Sequence, residues 1–557
     1  MRRRTFVARA GLALTGTALA PGSISALGTR VRRADLLLRG GLVVDGTGAP
    51  GFEADVLVRG GRIAAVGPGL SAEGAETVDI AGRVLAPGFI DIHSHTDTEL
   101  LSDPRAESKV RQGVTLEVAG QDGGSEGPTG MAAAERARAR WAERGIEGDF
   151  SSLPGFLRTL ERHPAAVNFA SMVGAGTVRG HVIGNQDRPA TEAELGRMVA
   201  LVEAALAGGA VGISSGLEYT PGAFADRNEL AALAAPAGRR GLPYASHMRN
   251  EDDALLAAVE EALFVSARAG APVHISHLKA QGERNWWKAE QVLDLLEARS
   301  AAGVDVTFDR YPYVAYSTGL SNLFPVWARE GGNAAFQARL GDPAQAPRIE
   351  VAVRDKIAQL GSWDAVQVTS PGSAAVAWAR GRRLGALAAE RGAEPYALLL
   401  QLMAEGGGGM VGFGMSEENT ARILAHPLGM ICSDGSAMAV DRASGAPHPR
   451  SFGTFPRVLG HYVRETGALT LEAAVHKMSG MPAARLRLAE RGRIAPGMAA
   501  DLVVFDPATV ADRATFEEPF QYPVGIEHVL VNGSFVLREG ERTAERPGQV
   551  VRPAVRA

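Results

Sequence analysis

Two histidines one residue apart, His93 and His95, close the apolar run "VLAPGFIDIHSH". A β-strand sends positions i and i+2 to the same face, so both imidazoles enter one space, which is chelate geometry. Imidazole nitrogen is a favoured zinc ligand, and an apolar wall keeps competing water from the ion. The same pair also reads as two hydrogen-bonded histidines at a strand end, so the rest of the chain must separate the readings. Three more residues of ligand or acid–base type end other short apolar runs: His247 in "PYASHMR", His277 in "PVHISHLK" and Asp434 in "GMICSDG".

For these residues to meet, the fold must bring the ends of several runs to one place. Eight runs are present: "GFIDIHSH", "TLEVAG", "VNFASMV", "AVGISSGLE", "PYASHMR", "PVHISHLK", "DVTFDRYPY" and "GMICSDG". Between them lie amphipathic helical stretches, clearest in "TEAELGRMVALVEAALAGG", "DDALLAAVEEALFVSARAG" and "KAEQVLDLLEARSAAG", the last two ending near glycine. Repeated βα units in that number predict an α/β chain with a (β/α)8 barrel, whose strand C-termini converge at one mouth. Four histidines and an aspartate then share that mouth.

The interval from Asn322 to Gly429 holds more than one helix. Its "DPAQAPRIEVAVRDKIAQL" and "WDAVQV" predict an inserted subdomain, about 325–425, between the seventh and eighth strands. Segments 34–82 and 490–550 differ from the barrel in texture, with short β-like runs and Gly-Gly or Asp-Gly turns, as in "ADLLLRGGLVVDG" and "IEHVLVNGSFVLREGE". They predict one small β-sandwich built from both ends of the chain, leaving 83–489 to the barrel.

At 557 residues the chain suits one large domain with satellites. Its 58 basic and 62 acidic residues give no electrostatic reason to expect nucleic acid or an anionic membrane as partner. The single cysteine, Cys432, excludes an intrachain disulfide framework and a multi-cysteine zinc cluster. Residues 1–28 have a basic start, an apolar centre and small residues after it, as a signal peptide does. Arg3 and Arg4 followed by Thr5 and Phe6 resemble a twin-arginine signal, which predicts export to the periplasm without stable membrane insertion after signal removal.

The motifs "GFIDIHSHTD", "SHMRNEDD", "HISHLKAQG" and "SDG" resemble the amidohydrolase superfamily. More narrowly, "SSGLEYTPGAFAD", "DRYPY" and "HPRSFGTFPRVLGHYVRE" resemble its D-aminoacylase group, the N-acyl-D-amino-acid deacylases, over about Ala34 to Pro547. The resemblance implies a hydrolase with one or two zinc ions acting on a small-molecule substrate, the amide of an N-acyl-D-amino acid. It implies His93, His95, His247 and His277 as metal ligands and Asp434 as general base and then acid. One departure stands out: the group commonly carries "GNCG", with a cysteine ligand, where this chain reads "GQDGG" and places Asp122. A carboxylate ligates zinc as a harder, weaker donor than thiolate. Glu218, in "SSGLEY", ends the fourth strand, where related barrels often place a bridging carboxylate. Either acid suits the bridging role, so the metal count stays open.

A D-amino acid product carries an α-carboxylate and calls for cations near the metal. Lys279, two residues beyond His277, faces the same side of its strand end, and the guanidinium fork of Arg450 suits bidentate capture of a carboxylate. By resemblance, Tyr219 and Tyr311 or Tyr313 add phenolic donors. Two other readings remain: a dipeptidase or cyclic-amide hydrolase with the same metal chemistry, and a non-catalytic exported binding protein on a degenerate barrel.

Overall fold

The computed structural model describes residues 35–554 apart from residue 72, so the export signal expected over 1–28 lies outside the described residues. The eight apolar runs form the barrel strands. They are β1 (Phe89–Asp91), β2 (Val114–Ala119), β3 (Asn168–Ser171, continued by Val173–Gly174), β4 (Ile213–Gly216), β5 (Tyr244–His247), β6 (Val273–Ile275), β7 (Val306–Arg310) and β8 (Gly429–Ile431). Each pairs in parallel with its sequence neighbour. β3 is interrupted at Met172: its first half pairs with β2 and its second with β4. Just beyond β1, Ser94 bridges Gly435, which closes the ring to β8.

Both faces of these strands are covered, so they read as near-continuous apolar runs rather than alternating ones. The helix Glu192–Ala207 begins in a capping box between Thr191 and Glu194, and Leu255–Ala269 stops at Gly270 in the left-handed region. Their buried stripes, Met198, Val202 and Leu206 in the first and Leu255, Val259 and Leu263 in the second, pack into the main apolar core. Full burial of each large aliphatic side chain contributes about 1.5–3 kcal/mol.

The two chain ends share one nine-stranded sheet. Leu502–Phe505 pairs antiparallel with Val84–Pro87, which in turn pairs with Leu36–Val43. A bulge between Leu38 and Gly41 lets that last strand change neighbours, from Glu76–Asp79 to Val84–Pro87. The sheet folds back on itself: Ile63 exchanges backbone hydrogen bonds with Gly497 and Met498, and Val56, Ile63, Leu502 and Val504 share one apolar core. A buried amide–carboxylate group, Asn168, Asp501 and Asn532, ties this unit to barrel strand β3.

Between β7 and β8 stands a three-stranded antiparallel sheet of Ala315–Gly319, Gly408–Phe413 and Val366–Pro371, with helices that include Ala346–Leu360 and Pro395–Ala404. Its first strand starts ten residues before the expected boundary at 325. "AYSTG" follows the barrel strand so closely that the apolar pattern alone does not divide the two. Helix Glu417–Ala425, placed by the sequence inside the insertion, instead packs on the barrel, with Asn419 donating to Trp286 O at 2.8 Å. Among the described residues no helix is long and apolar enough to cross a membrane.

Candidate active site

The strand C-termini open into a cavity of about 520 Å³. His247 is the last residue of β5, His277 lies two residues past β6, Glu218 two past β4, and Asp122 and Asp434 three past β2 and β8. Asp122 (φ 52°), His277 (φ 36°) and Asp434 (φ 50°) all sit in the left-handed region. Each such non-glycine residue costs of order 1–3 kcal/mol, which persists where surrounding structure dictates the direction of the side chain. Gly216 permits this at Asp122, because a Cβ there would meet Asp122 O at 1.9 Å.

Asp122 is the centre of the site. Its Oδ1 lies 3.4 Å from both His93 Nε2 and His277 Nε2, and its Oδ2 lies 3.5 Å from His95 Nε2 and 3.6 Å from His247 Nδ1. Asp434 Oδ1 stands 3.0 Å from His95 Nε2, and its Oδ2 accepts a hydrogen bond from Arg450 Nη1 at 2.6 Å. All four histidines, Asp122 and Asp434 are thus brought together as the sequence anticipates.

Glu218 is set apart from this centre. It stands 3.6 Å from His247 Nε2, the nitrogen on the far side of the ring from Asp122. Two carboxylates missed in the sequence occupy equivalent outer positions. Glu251 Oε1 lies 3.0 Å from His277 Nδ1, and Asp309 Oδ2 lies 3.4 Å from His93 Nδ1. Asp309 also accepts from His274 Nε2 at 2.7 Å, from the His277 backbone N–H and from Cys432 Sγ. A signal for it was available: an acid inside the apolar strand "VTFDR" must be buried with partners.

The two cations expected to hold a substrate carboxylate also have partners within the protein. Lys279 Nζ donates to Glu251 Oε1 at 2.7 Å and lies 2.6 Å from His277 Nδ1, so it is already engaged beside a histidine. One edge of Arg450 is likewise committed to Asp434. Tyr219 and Tyr311 line the cavity, and the Tyr311 hydroxyl is buried without a hydrogen-bond partner. Tyr313 does not line the cavity. It packs against His448 and Phe516, because the strand ends at Arg310 and the turn that follows directs Tyr313 away from the mouth. Ser317, Thr318, Asn322 and Lys356, from the insertion or next to it, add polar wall that the sequence did not single out.

The electrostatics suit a cation. Burial opposes charge on every group, yet His93, His277 and His247 hold the Asp122 carboxyl well below the usual range. Arg450 and the His95 contact do the same for Asp434. Against the same burial, Asp122 and Asp434 push His95 up to about 9, and Glu251 and Asp122 push His247 up to about 10. Both ring nitrogens of His93, Nε2 of His247 and Oδ1 of Asp122 are buried without a hydrogen-bond partner. Three nitrogen–oxygen sets converge, His93–His95–Asp122–Asp434, Asp122–His247–His277 and Glu218–His247–Glu251; the first two share Asp122 and hold all four histidines, and their donor chemistry fits zinc.

Residues 76–537 match the Amidohydrolase family. The D-aminoacylase of Alcaligenes xylosoxydans xylosoxydans is 40% identical over 517 residues, covering 93% of this chain and 97% of that protein. The N-acyl-D-aspartate deacylase of the same organism is 38% identical over 523 residues, 94% of this chain and 95% of that one. Among solved structures, the N-acyl-D-glutamate deacylase of Bordetella bronchiseptica, complexed with zinc and a phosphonate mimic of the tetrahedral intermediate, superposes with a TM-score of 0.78 at 36% identity. That match covers 93% of this chain and 100% of the other.

Proposed function

The chain belongs to the amidohydrolase family, and we propose that it hydrolyses the amide bond of N-acyl-D-amino acids, with one or two zinc ions held by its histidines and Asp122. The observation that carries this reading is the convergence of four histidines on the two oxygens of Asp122, with Asp434 beside them. His93, His95 and Asp434 form one ligand group and His247 with His277 the other, and Asp122 belongs to both. Bound zinc supplies Lewis acidity and makes water a nucleophile near neutral pH.

The remaining work falls to the protein's own groups. Asp434, kept ionised by Arg450, accepts the proton of the attacking water and returns it to the amide nitrogen as that bond breaks. Tyr311, with a free hydroxyl at the cavity wall, and the outer edge of Arg450 hold the substrate α-carboxylate, with Lys279 adding positive charge behind them. Glu218, Glu251 and Asp309 orient the rings of His247, His277 and His93 from outside.

Export to the periplasm through the twin-arginine-like leader belongs to the same proposal, supported by the residue pattern of positions 1–28. Cell fractionation of the full chain beside an Arg3→Lys, Arg4→Lys variant tests it. The catalytic proposal is tested by zinc analysis of the purified protein with a panel of N-acetyl D- and L-amino acids. Release of free D-amino acid by zinc-loaded protein is the expected result. Turnover confined to L-isomers or cyclic amides overturns the substrate class, and no turnover of any amide overturns the activity.

A further inference from the structure

Strands β1 and β8 are not joined by a ladder. Among the described residues they meet through one bridge, Ser94 to Gly435, with backbone bonds from Asp434 to His93 and from His95 to Gly435. The seam carries instead a buried charged cluster that the proposed chemistry does not use. Lys109 is fully buried. Its Nζ donates to Asp91 Oδ2 at 2.7 Å, Ser433 Oγ at 2.8 Å and Gly435 O at 2.9 Å, and stands 3.6 Å from Glu117 Oε2. Asp91 in turn accepts the Ser433 backbone N–H at 2.8 Å, and Glu117 accepts the Ser94 hydroxyl at 2.6 Å.

One ammonium therefore bonds both residues that flank Asp434. Asp434 itself is strained, with φ at 50°. A buried ion network is weak evidence for stability, since well-packed apolar residues often serve as well. What this one fixes that apolar packing does not is the path of the Ser433–Asp434–Gly435 turn, through directional bonds on either side of the acid.

We propose that Lys109 is a positioning residue for the reaction: through Ser433 and Gly435 it holds Asp434 in the conformation that sets its carboxylate against His95 and Arg450. This rests on the reading of Asp434 as the acid–base group. Lys109 does not line the cavity, so its effect passes through that turn.

The test is a double-mutant cycle on zinc-loaded protein with Lys109→Met, Asp434→Asn and the pair, assayed on the N-acetyl-D-amino acid that turns over fastest. Lys109→Met is expected to lower kcat by about 10- to 100-fold, the range for loss of a group that orients an active-site residue, with KM and zinc content unchanged. Added to Asp434→Asn it is expected to cost nothing more, whereas a general structural role gives additive losses. Additivity, or an unchanged kcat in Lys109→Met, overturns the inference. Should Lys109→Met fail to fold, Ser433→Ala removes one of the two flanking bonds and enters the same cycle under the same criteria. Near-parental turnover in Asp434→Asn overturns the acid–base reading and the Lys109 inference with it. An Asp434→Asn variant with strongly reduced but measurable turnover, lowered further by Lys109→Met by the same factor as in the parent, overturns the inference alone.

Discussion

Asp122 faces His277 across 3.4 Å, Oδ1 to Nε2, while Glu251 Oε1 lies 3.0 Å from the other nitrogen of the same ring. The arrangement recurs twice: His93 stands between Asp122 and Asp309, and His247 between Asp122 and Glu218. One carboxylate is central and three are outer. A ligating imidazole needs a bare nitrogen toward the metal and its N–H away from it, and the outer acids place negative charge on the side where that N–H belongs.

That placement separates the two acids between which the sequence could not choose. Asp122→Ala is expected to lower bound zinc sharply, because it removes the one group that reaches all four histidines. Glu218→Ala should retain zinc, with affinity lowered by about 10- to 100-fold, as for loss of an outer partner. Asp122→Cys should hold zinc at least as tightly as the parent, since thiolate is the softer donor. Chelator competition ranks the four proteins, and a Glu218→Ala loss larger than that of Asp122→Ala would reverse the assignment.

Much of this was legible in sequence because barrel geometry turns position into proximity: a polar residue just past an apolar strand reaches the shared mouth. His93, His95, His247, His277 and Asp434 were found that way. Outer groups escaped because nothing in local spacing marks them. Glu251 lies four residues beyond His247, on a loop whose return toward His277 depends on packing, and Asp309 lies inside a strand rather than at its end. Lys279 was placed on the correct face, but its engagement by Glu251 is a contact between two different strand ends. Tyr311 and Tyr313 could not be told apart, because the turn after β7 decides which one meets the cavity.

Metal binding should release protons. In the metal-free protein burial opposes charge on His95 and His247, yet neighbouring carboxylates push these rings up to about 9 and about 10, so both carry a proton near neutral pH that zinc must displace. Zinc affinity should therefore tighten as pH rises through neutrality toward about 9 and about 10, the values at which these two rings lose their protons. The stability of the metal-free fold should run the other way. These ion pairs contribute fully below the ordinary histidine range and are lost as pH rises through the folded values. Calorimetry in two buffers of different ionisation enthalpy reads the proton release directly, and equal apparent enthalpies would contradict it.

Asp309→Asn should weaken both function and fold. The carboxylate accepts from His274 and from the His277 backbone N–H, and faces His93, so it supports one histidine of each ligand group. Removing its charge from a buried site with charged neighbours is expected to cost about 3–5 kcal/mol. Urea unfolding of the metal-free protein measures that loss, and zinc titration of the folded variant should show weaker binding. An unchanged midpoint would mean that His274 and His93 have other partners.

Glu126 lines the cavity, and burial, with Asp97 and Glu99 adding to it, pushes its carboxyl up to about 7 from an ordinary 4.5. Its folded value being the higher one, the native protein holds this proton more tightly than the unfolded chain. Below 4.5 both states are protonated and the shift has no effect on stability. Stability then declines as pH rises toward 7 and stays lowered above it, because the native group ionises at a cost. Glu126→Gln removes that cost, and with the half-buried position discounted the gain at alkaline pH is about 1–3 kcal/mol. Thermal unfolding of parent and variant should coincide near pH 4.5 and diverge by a few degrees above neutrality, the variant melting higher. A difference of the same size at both pH values would show that Glu126 acts through packing, with the acidic neighbours playing no part.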